Sequence, residues 1–318
     1  MPRARPDLEE CTTVTVLAPP PKAPPTAAAS AARPVAPPPG RPGLALGGAM
    51  LCVLAAVLLG FAAHLTIVGH LQHARDQRTA YAELRRQLAL GTAPVGQHGY
   101  DDKPIAQGDP VALLRIPALG VRQVVAEGTT STVLESGPGH RRDTPMPGQA
   151  GTVVVMGRQW GYGGPFNALH RLPLGARVEL TTGQGTSVYE ITGIRHAGDE
   201  LPVPPGQGQG RLTLITATGA PYTPNGVLRV DAKLVTEVQP APPRSGGIAP
   251  SEEALAGEDD AWLPVFLWSQ GLLLAALLTA WSYRVWGRWQ TWICAAPVLA
   301  ALGLADAGAL TVLLPNLL

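Results

Sequence analysis

The 318 residues carry 24 Lys plus Arg against 23 Asp plus Glu, and residues 99–238 alone balance 12 basic with 12 acidic side chains. That balance excludes a polyanion-binding surface built on bulk charge, and nucleic acid with it. The 33 prolines and 37 glycines, set against only 5% aromatic residues, exclude a single ordinary soluble globule. Three cysteines, Cys11, Cys52 and Cys294, leave residues 53–293 without sulfur nucleophile, thiolate zinc site or disulfide framework.

Residues 1–43 hold 12 of the 33 prolines among alanines and few large apolar side chains, so they read as a disordered or polyproline tail. From Leu44 the chain turns apolar and stays so to Val68, long enough as a helix to cross roughly 30 Å of hydrocarbon. The 43 preceding residues and the length of the run favour an uncleaved anchor over a signal peptide. A helical stalk then occupies 69–98: Leu71, Ala74, Tyr81, Leu84 and Leu88 recur near the helical period, and Gly91 ends it. His64, His70 and His73 straddle the membrane boundary without an arranged fourth ligand, so they read as interfacial histidines. No metal and no cofactor is expected.

Residues 99–238 form the β domain, with strands predicted at 111–116, 121–126, 152–156, 176–181, 187–194, 211–217 and 227–235, and Gly183-Gln184-Gly185 as a hairpin loop. Seven or so strands without an intervening helical pattern favour a barrel or sandwich over a parallel sheet. Residues 239–260 are a Pro-, Gly- and acid-rich linker. Two further spans follow at 261–283 and 291–314, the first flanked by Trp262, Trp268, Trp281 and Tyr283. Arg284 and Arg288 in the short loop between them predict a cytoplasmic loop, which puts the β domain outside and the N-terminal tail inside. The stalk arginines Arg75, Arg78, Arg85 and Arg86 point the other way unless they rest on anionic headgroups. Asp306 is the only acid within a predicted span, a costly placement that reads first as a bundle-facing or water-reaching carboxylate; the sharper alternative is a specific partner, a His at the end of the first span or a helix of another protein.

Several ordered motifs carry a resemblance: Leu114-Arg115-Ile116-Pro117-Ala118-Leu119-Gly120-Val121, then Val125-Ala126-Glu127-Gly128-Thr129, Gly137-Pro138-Gly139-His140, Thr144, Pro147-Gly148-Gln149, Gly161 to Phe166 with Leu169, and Leu212-Thr213-Leu214-Ile215-Thr216. Together they resemble the sortase family, in particular the class E type of Gram-positive actinobacteria, over roughly residues 110–236. The resemblance implies an extracytoplasmic, sortase-like eight-stranded β-barrel, here with one N-terminal and two C-terminal transmembrane helices. It also implies a function: active members join sorting-signal proteins to the cell wall with a Cys nucleophile, a His acid-base partner and an Arg that holds the substrate.

Carried over residue by residue, that triad is not intact. The histidine position reads Arg158, and an arginine cannot give up its proton near neutral pH. The cysteine position reads Ala217, which has no nucleophilic atom. Thr216 and Thr218 face away from it by strand alternation, so a threonine substitute is disfavoured. The arginine position is Val227, or Arg229 after a register slip. Loss of the nucleophile or the base typically costs about 10^4 to 10^6 in rate. The expectation is therefore a membrane-anchored sortase-like protein without transpeptidase activity, acting as an extracytoplasmic binding or scaffolding module at the cell envelope. Arg158, Arg229, His140 and Thr216 are its candidate ligand-binding residues. The partners considered are a sorting-signal peptide, an anionic cell-wall polymer or another membrane protein, besides the membrane itself. The alternatives are a transpeptidase or hydrolase with a non-Cys nucleophile, and a structural subunit of a membrane complex.

Overall fold

The computed structural model describes residue 51, residues 57–244 and residues 246–318; the Pro-rich tail and most of the first half of the predicted anchor lie outside the described residues. Among those described, three helices are long and apolar enough to cross a membrane: Val57–Leu90, Asp259–Tyr283 and Trp289–Leu313.

The first, α1 (Val57–Leu90), runs without a break from apolar anchor into polar stalk, through a single π-helical stretch at His64–Val68. Gly91 caps it in the left-handed conformation (φ 68°), and its N–H reaches back to the Leu88 carbonyl at 3.3 Å. The stalk half lies along the barrel. There the Gln77 side-chain amide donates to the carbonyls of Val124 (3.1 Å) and Ser136 (2.9 Å), while its oxygen accepts from Val124 N–H at 2.7 Å. One side chain thus satisfies backbone groups that the strand edge leaves open. One turn further on, Arg122 donates to the Tyr81 hydroxyl (2.5 Å), with its guanidinium 4.8 Å from the ring centroid.

The β domain is a closed eight-stranded barrel in the order β1-β2-β3-β4-β7-β8-β6-β5. Its strands are β1 Pro110–Ile116, β2 Val121–Glu127, β3 Gly139–His140, β4 Gly151–Met156, β5 Arg177–Thr182, β6 Gly185–Arg195, β7 Gly210–Ala220 and β8 Thr223–Leu234. A short helix, α2 (Ser131–Ser136), capped by the Thr130 hydroxyl, bridges β2 and β3. Seven strands coincide with predicted ones to within a few residues. The eighth, β3, has two residues and carries no periodicity to read. Alternating side chains fill the interior, among them Val153 and Val155 of β4, Leu212 and Leu214 of β7, and Leu228, Val230 and Ala232 of β8. The alternate residues of these strands, Val154, Met156, Ile215, Ala217 and Val227, form a second apolar cluster on the outer face.

Two helices complete the chain: α3 (Trp262–Val285) and α4 (Arg288–Leu313), the latter with Pro297 inside it. In the linker between β8 and α3, residues 240–244 are exposed, and the part around Glu252 packs on the barrel. Glu252 is only 2% exposed, and its carbonyl accepts from the Thr129 hydroxyl at 2.6 Å.

Candidate functional site

Strand register fixes which residues meet on the outer face. β4 and β7 run parallel with Met156 opposite Ile215, and the antiparallel β7–β8 pair sets Ile215 against Arg229 and Ala217 against Val227. Gly157 continues the ladder, donating to Ile215 O at 3.0 Å, and there the chain leaves the sheet at Arg158. A Cβ at Gly157 would stand 2.6 Å from the Phe166 ring, so only glycine lets the loop after Arg158 fold back this tightly. The three positions singled out by sequence therefore share one face. Thr216 does not: its hydroxyl lies on the interior side of β7, 1% exposed and without a hydrogen-bond partner, while Thr218 bonds to Asn225 at the exposed strand end.

Arg158, a candidate ligand-binding residue by sequence, is only 1% exposed. Its Nη2 donates to the Ser131 carbonyl (3.1 Å) and hydroxyl (2.8 Å) and stands 3.6 Å from the Glu135 carboxylate. The guanidinium also sits 4.9 Å from the Tyr162 ring centroid. Thr311 of α4 donates to Glu135 at 2.9 Å, so the Tyr162 hydroxyl, 3.0 Å from the Thr311 oxygen, is the donor in that contact. Tyr162 also lies 3.4 Å from His64 Nε2 of α1. One polar cluster thus joins the barrel to two of the apolar helices, α1 and α4. Burial pulls the Arg158 pKa down, with Glu135 opposing. Burial raises the Glu135 carboxyl, with Arg158 opposing, and it pushes Tyr162 up to about 12, helped by Glu135. An arginine remains charged even so, and Arg158 itself accepts no proton near neutral pH.

The cluster around Ala217 is covered from outside. Residues 315–318 leave α4 and lie on it, with Asn316 and Leu317 fully buried and Leu318 6% exposed. Leu317 joins Leu134, Val154, Met156, Ile215, Ala217 and Val227, with Ala254 and Leu255 packed against the cluster. Ala217 keeps 2% of its surface.

The other sequence-predicted residues lie elsewhere. Arg229 is half-buried and lines a cavity of about 300 Å³ with Arg141, Ile215, Ile248 and Glu253; its side chain forms no hydrogen bond or ion pair among the described residues. His140 is 1% exposed, with Nδ1 2.8 Å from Glu127 and Nε2 2.8 Å from the Pro145 carbonyl. The Thr144 hydroxyl, 3.2 Å from Nε2, gives its own proton to the Arg141 carbonyl at 2.7 Å, so both ring nitrogens face acceptors. Burial works against a charge on the ring, but Glu127 outweighs it and the His140 pKa is raised. The pair's stabilisation is therefore complete below the unfolded histidine value of about 6.5 and is lost as pH rises through the higher folded value. Thermal melts at pH rising above about 6.5 are expected to show a falling melting temperature in the wild type and a flatter profile in Glu127→Gln. Asp306 finds its partner inside the helix pair, where Ser269 of α3 donates to it at 2.9 Å, rather than in a histidine. Among the described residues no group of three or more His, Cys, Asp and Glu side chains is placed to hold a metal ion.

Sequence reasoning did not single out Ser131, Glu135, Tyr162, Thr311 or residues 315–318. Their roles arise from contacts between segments up to 187 positions apart, as in Asn316 with Thr129. The only local trace is the glycine-rich stretch Gly161 to Gly164, in which Tyr162 adopts a positive φ of 40°.

Residues 114–235 match the family model of the sortase domain. Among solved structures, a sortase E variant from Streptomyces avermitilis is 34% identical over 41% of this chain and 91% of its own, with a TM-score of 0.35. Sortase E1 from Streptomyces coelicolor is 26% identical over 42% and 93%, TM-score 0.37, and a Clostridium perfringens sortase D5 is 25% identical over 51% and 99%, TM-score 0.43. The comparison with curated proteins returned no match.

Proposed function

From a chain that belongs to the sortase family through residues 114–235, we propose a membrane-anchored protein that has given up transpeptidation and serves as an extracytoplasmic scaffolding module. The observation that carries this reading is Ala217: β7 presents a methyl group at the position that the resemblance assigns to the nucleophile. What surrounds it agrees. Arg158 stands where a base is required and is held by Ser131 and Glu135, and the nearest strand hydroxyl, Thr216, is on the opposite face. The three apolar helices provide the anchorage, with the barrel outside and the N-terminal tail in the cytoplasm as Arg284 and Arg288, on either side of the turn between α3 and α4, imply. The binding role expected of Arg158, Arg229, His140 and Thr216 narrows to Arg229 and its cavity, since the other side chains are buried.

Incubating the solubilised wild-type chain with a sorting-signal peptide and reading the intact protein mass tests this reading. The expected result is an unchanged mass and uncleaved peptide. A covalent acyl adduct abolished by Thr216→Val or Thr218→Val would establish a substitute nucleophile and overturn it.

A further inference from the structure

We propose that the barrel face around Ala217 is a docking site whose ligand is the chain's own residues 315–318, bound in cis and fastening the barrel to α4. The inference deepens the non-catalytic reading above by naming what occupies the site.

The segment is recognised at three points of different chemistry. First, Pro315 lies just beyond the last turn of α4, where Leu314 is already extended, so the chain leaves the helix axis towards the barrel. The linker runs beside it: Glu258 N–H donates to the Val312 carbonyl at 3.2 Å and Asn316 N–H to the Ala256 carbonyl at 2.8 Å. A Cβ at Gly257 would lie 2.6 Å from the Leu313 carbonyl, so the two backbones approach as closely as a glycine allows.

Second, the Asn316 side chain is read on both ends of its amide. Nδ2 donates to the carbonyls of Thr129 and Glu253, each at 2.8 Å, and Oδ1 accepts from Leu255 N–H at 2.9 Å. Two acceptors and one donor, all backbone, fit an amide and no other side chain of that size. An aspartate would turn an oxygen towards two carbonyls and leave them unsatisfied.

Third, Leu317 fills the apolar pocket formed by α2, β4, β7 and β8, and its carbonyl accepts from Gln159 N–H at 2.9 Å. The pocket floor includes Ala217, so the small residue at this position and the leucine above it belong to one packing arrangement. Occupancy of the nucleophile position by alanine then reads as fitting a ligand as well as losing a function. The chemistry recognised is an extended Pro-Asn-Leu-Leu segment, and any peptide from another chain must displace it.

The test places a reporter at the pocket floor of the full-length chain in detergent. In Ala217→Cys, the rate at which a soluble maleimide modifies position 217 is followed by peptide mass spectrometry. With residues 315–318 intact the reaction is expected to be slow. Adding Asn316→Asp or Leu317→Asp is expected to accelerate it at least tenfold, about the effect of losing the closed population of a local opening equilibrium. A synthetic Pro-Asn-Leu-Leu peptide at roughly millimolar concentration, comparable to the effective concentration of a tethered segment, is expected to restore protection to the Leu317→Asp chain. Equal labelling rates with and without the substitutions would overturn the proposal. So would failure of the peptide to protect. Neither result bears on acyl transfer by the wild type, so this proposal and the loss of transpeptidation fail on separate observations.

Discussion

Glu135→Leu is expected to lower the melting temperature of the detergent-solubilised chain by about 8 °C, with Arg158→Met/Glu135→Leu returning most of it. Arg158 is 1% exposed, and its only charged neighbour within 4 Å among the described residues is Glu135 at 3.6 Å. Removing the carboxylate strands a guanidinium whose remaining partners are the Ser131 carbonyl and hydroxyl and the Tyr162 ring, and whose Nε already lacks a hydrogen bond. Breaking a buried pair from one side typically costs about 3–5 kcal/mol, whereas replacing both members by apolar groups of similar volume is close to neutral. Glu135 keeps 21% of its side-chain surface, so solvent screens part of the attraction and the lower end, about 3 kcal/mol, applies. At about 2–4 °C per kcal/mol for a chain of this size, the shift follows. Differential scanning fluorimetry of the two variants against wild type reads it directly. An unchanged melting temperature in Glu135→Leu would mean that the pair with Glu135 contributes little and that Ser131 and Tyr162 suffice to hold Arg158.

The same cluster explains why the role of Arg158 was only half legible in the sequence. Its placement after β4 follows from the Val153–Met156 strand pattern and the glycine behind it, and both are local. Its neutralisation is not local: Glu135 comes from α2, Tyr162 from a loop in left-handed backbone, and Thr311 from a helix 153 positions further along. No composition or period links these segments, so an arginine at a groove position reads as an exposed cation until the fold brings the acid to it. Strands β1, β2, β4 and β7 were readable because β-branched runs bounded by glycine and proline encode them within a few residues. The two-residue β3 was not, since its pairing with β2 and β4 depends on both being in place. The stretch around Glu252 reads as solvated linker from its Pro, Gly and acidic content. It folds because Thr129 and Asn316 supply hydrogen bonds that sequence alone does not reveal.

Restoring the family's nucleophile is expected to fail on its own. In Ala217→Cys the thiol enters an apolar pocket beneath Leu317, where desolvation disfavours the thiolate, and the residue at 158 is a cation already committed to Ser131 and Glu135. Without a base, the rate should remain about 10^4 to 10^6 below that of an intact catalytic unit. Ala217→Cys/Arg158→His supplies nucleophile and base but leaves the pocket filled by residues 315–318, so peptide still cannot reach the sulfur. Only the further exchange Leu317→Asp, which empties the pocket, is expected to give an acyl adduct. Arg229 is then the cation available on the correct face of β8, two residues from Val227 and unpaired among the described residues. Intact-mass measurement after incubation with a sorting-signal peptide distinguishes the three chains. Acylation of Ala217→Cys alone would show that the pocket opens and that Arg158 is no obstacle. Acylation first seen in the double variant would place the block at the base, and acylation confined to the triple variant would place it at the bound segment, the order that the buried contacts of Asn316 and Leu317 require.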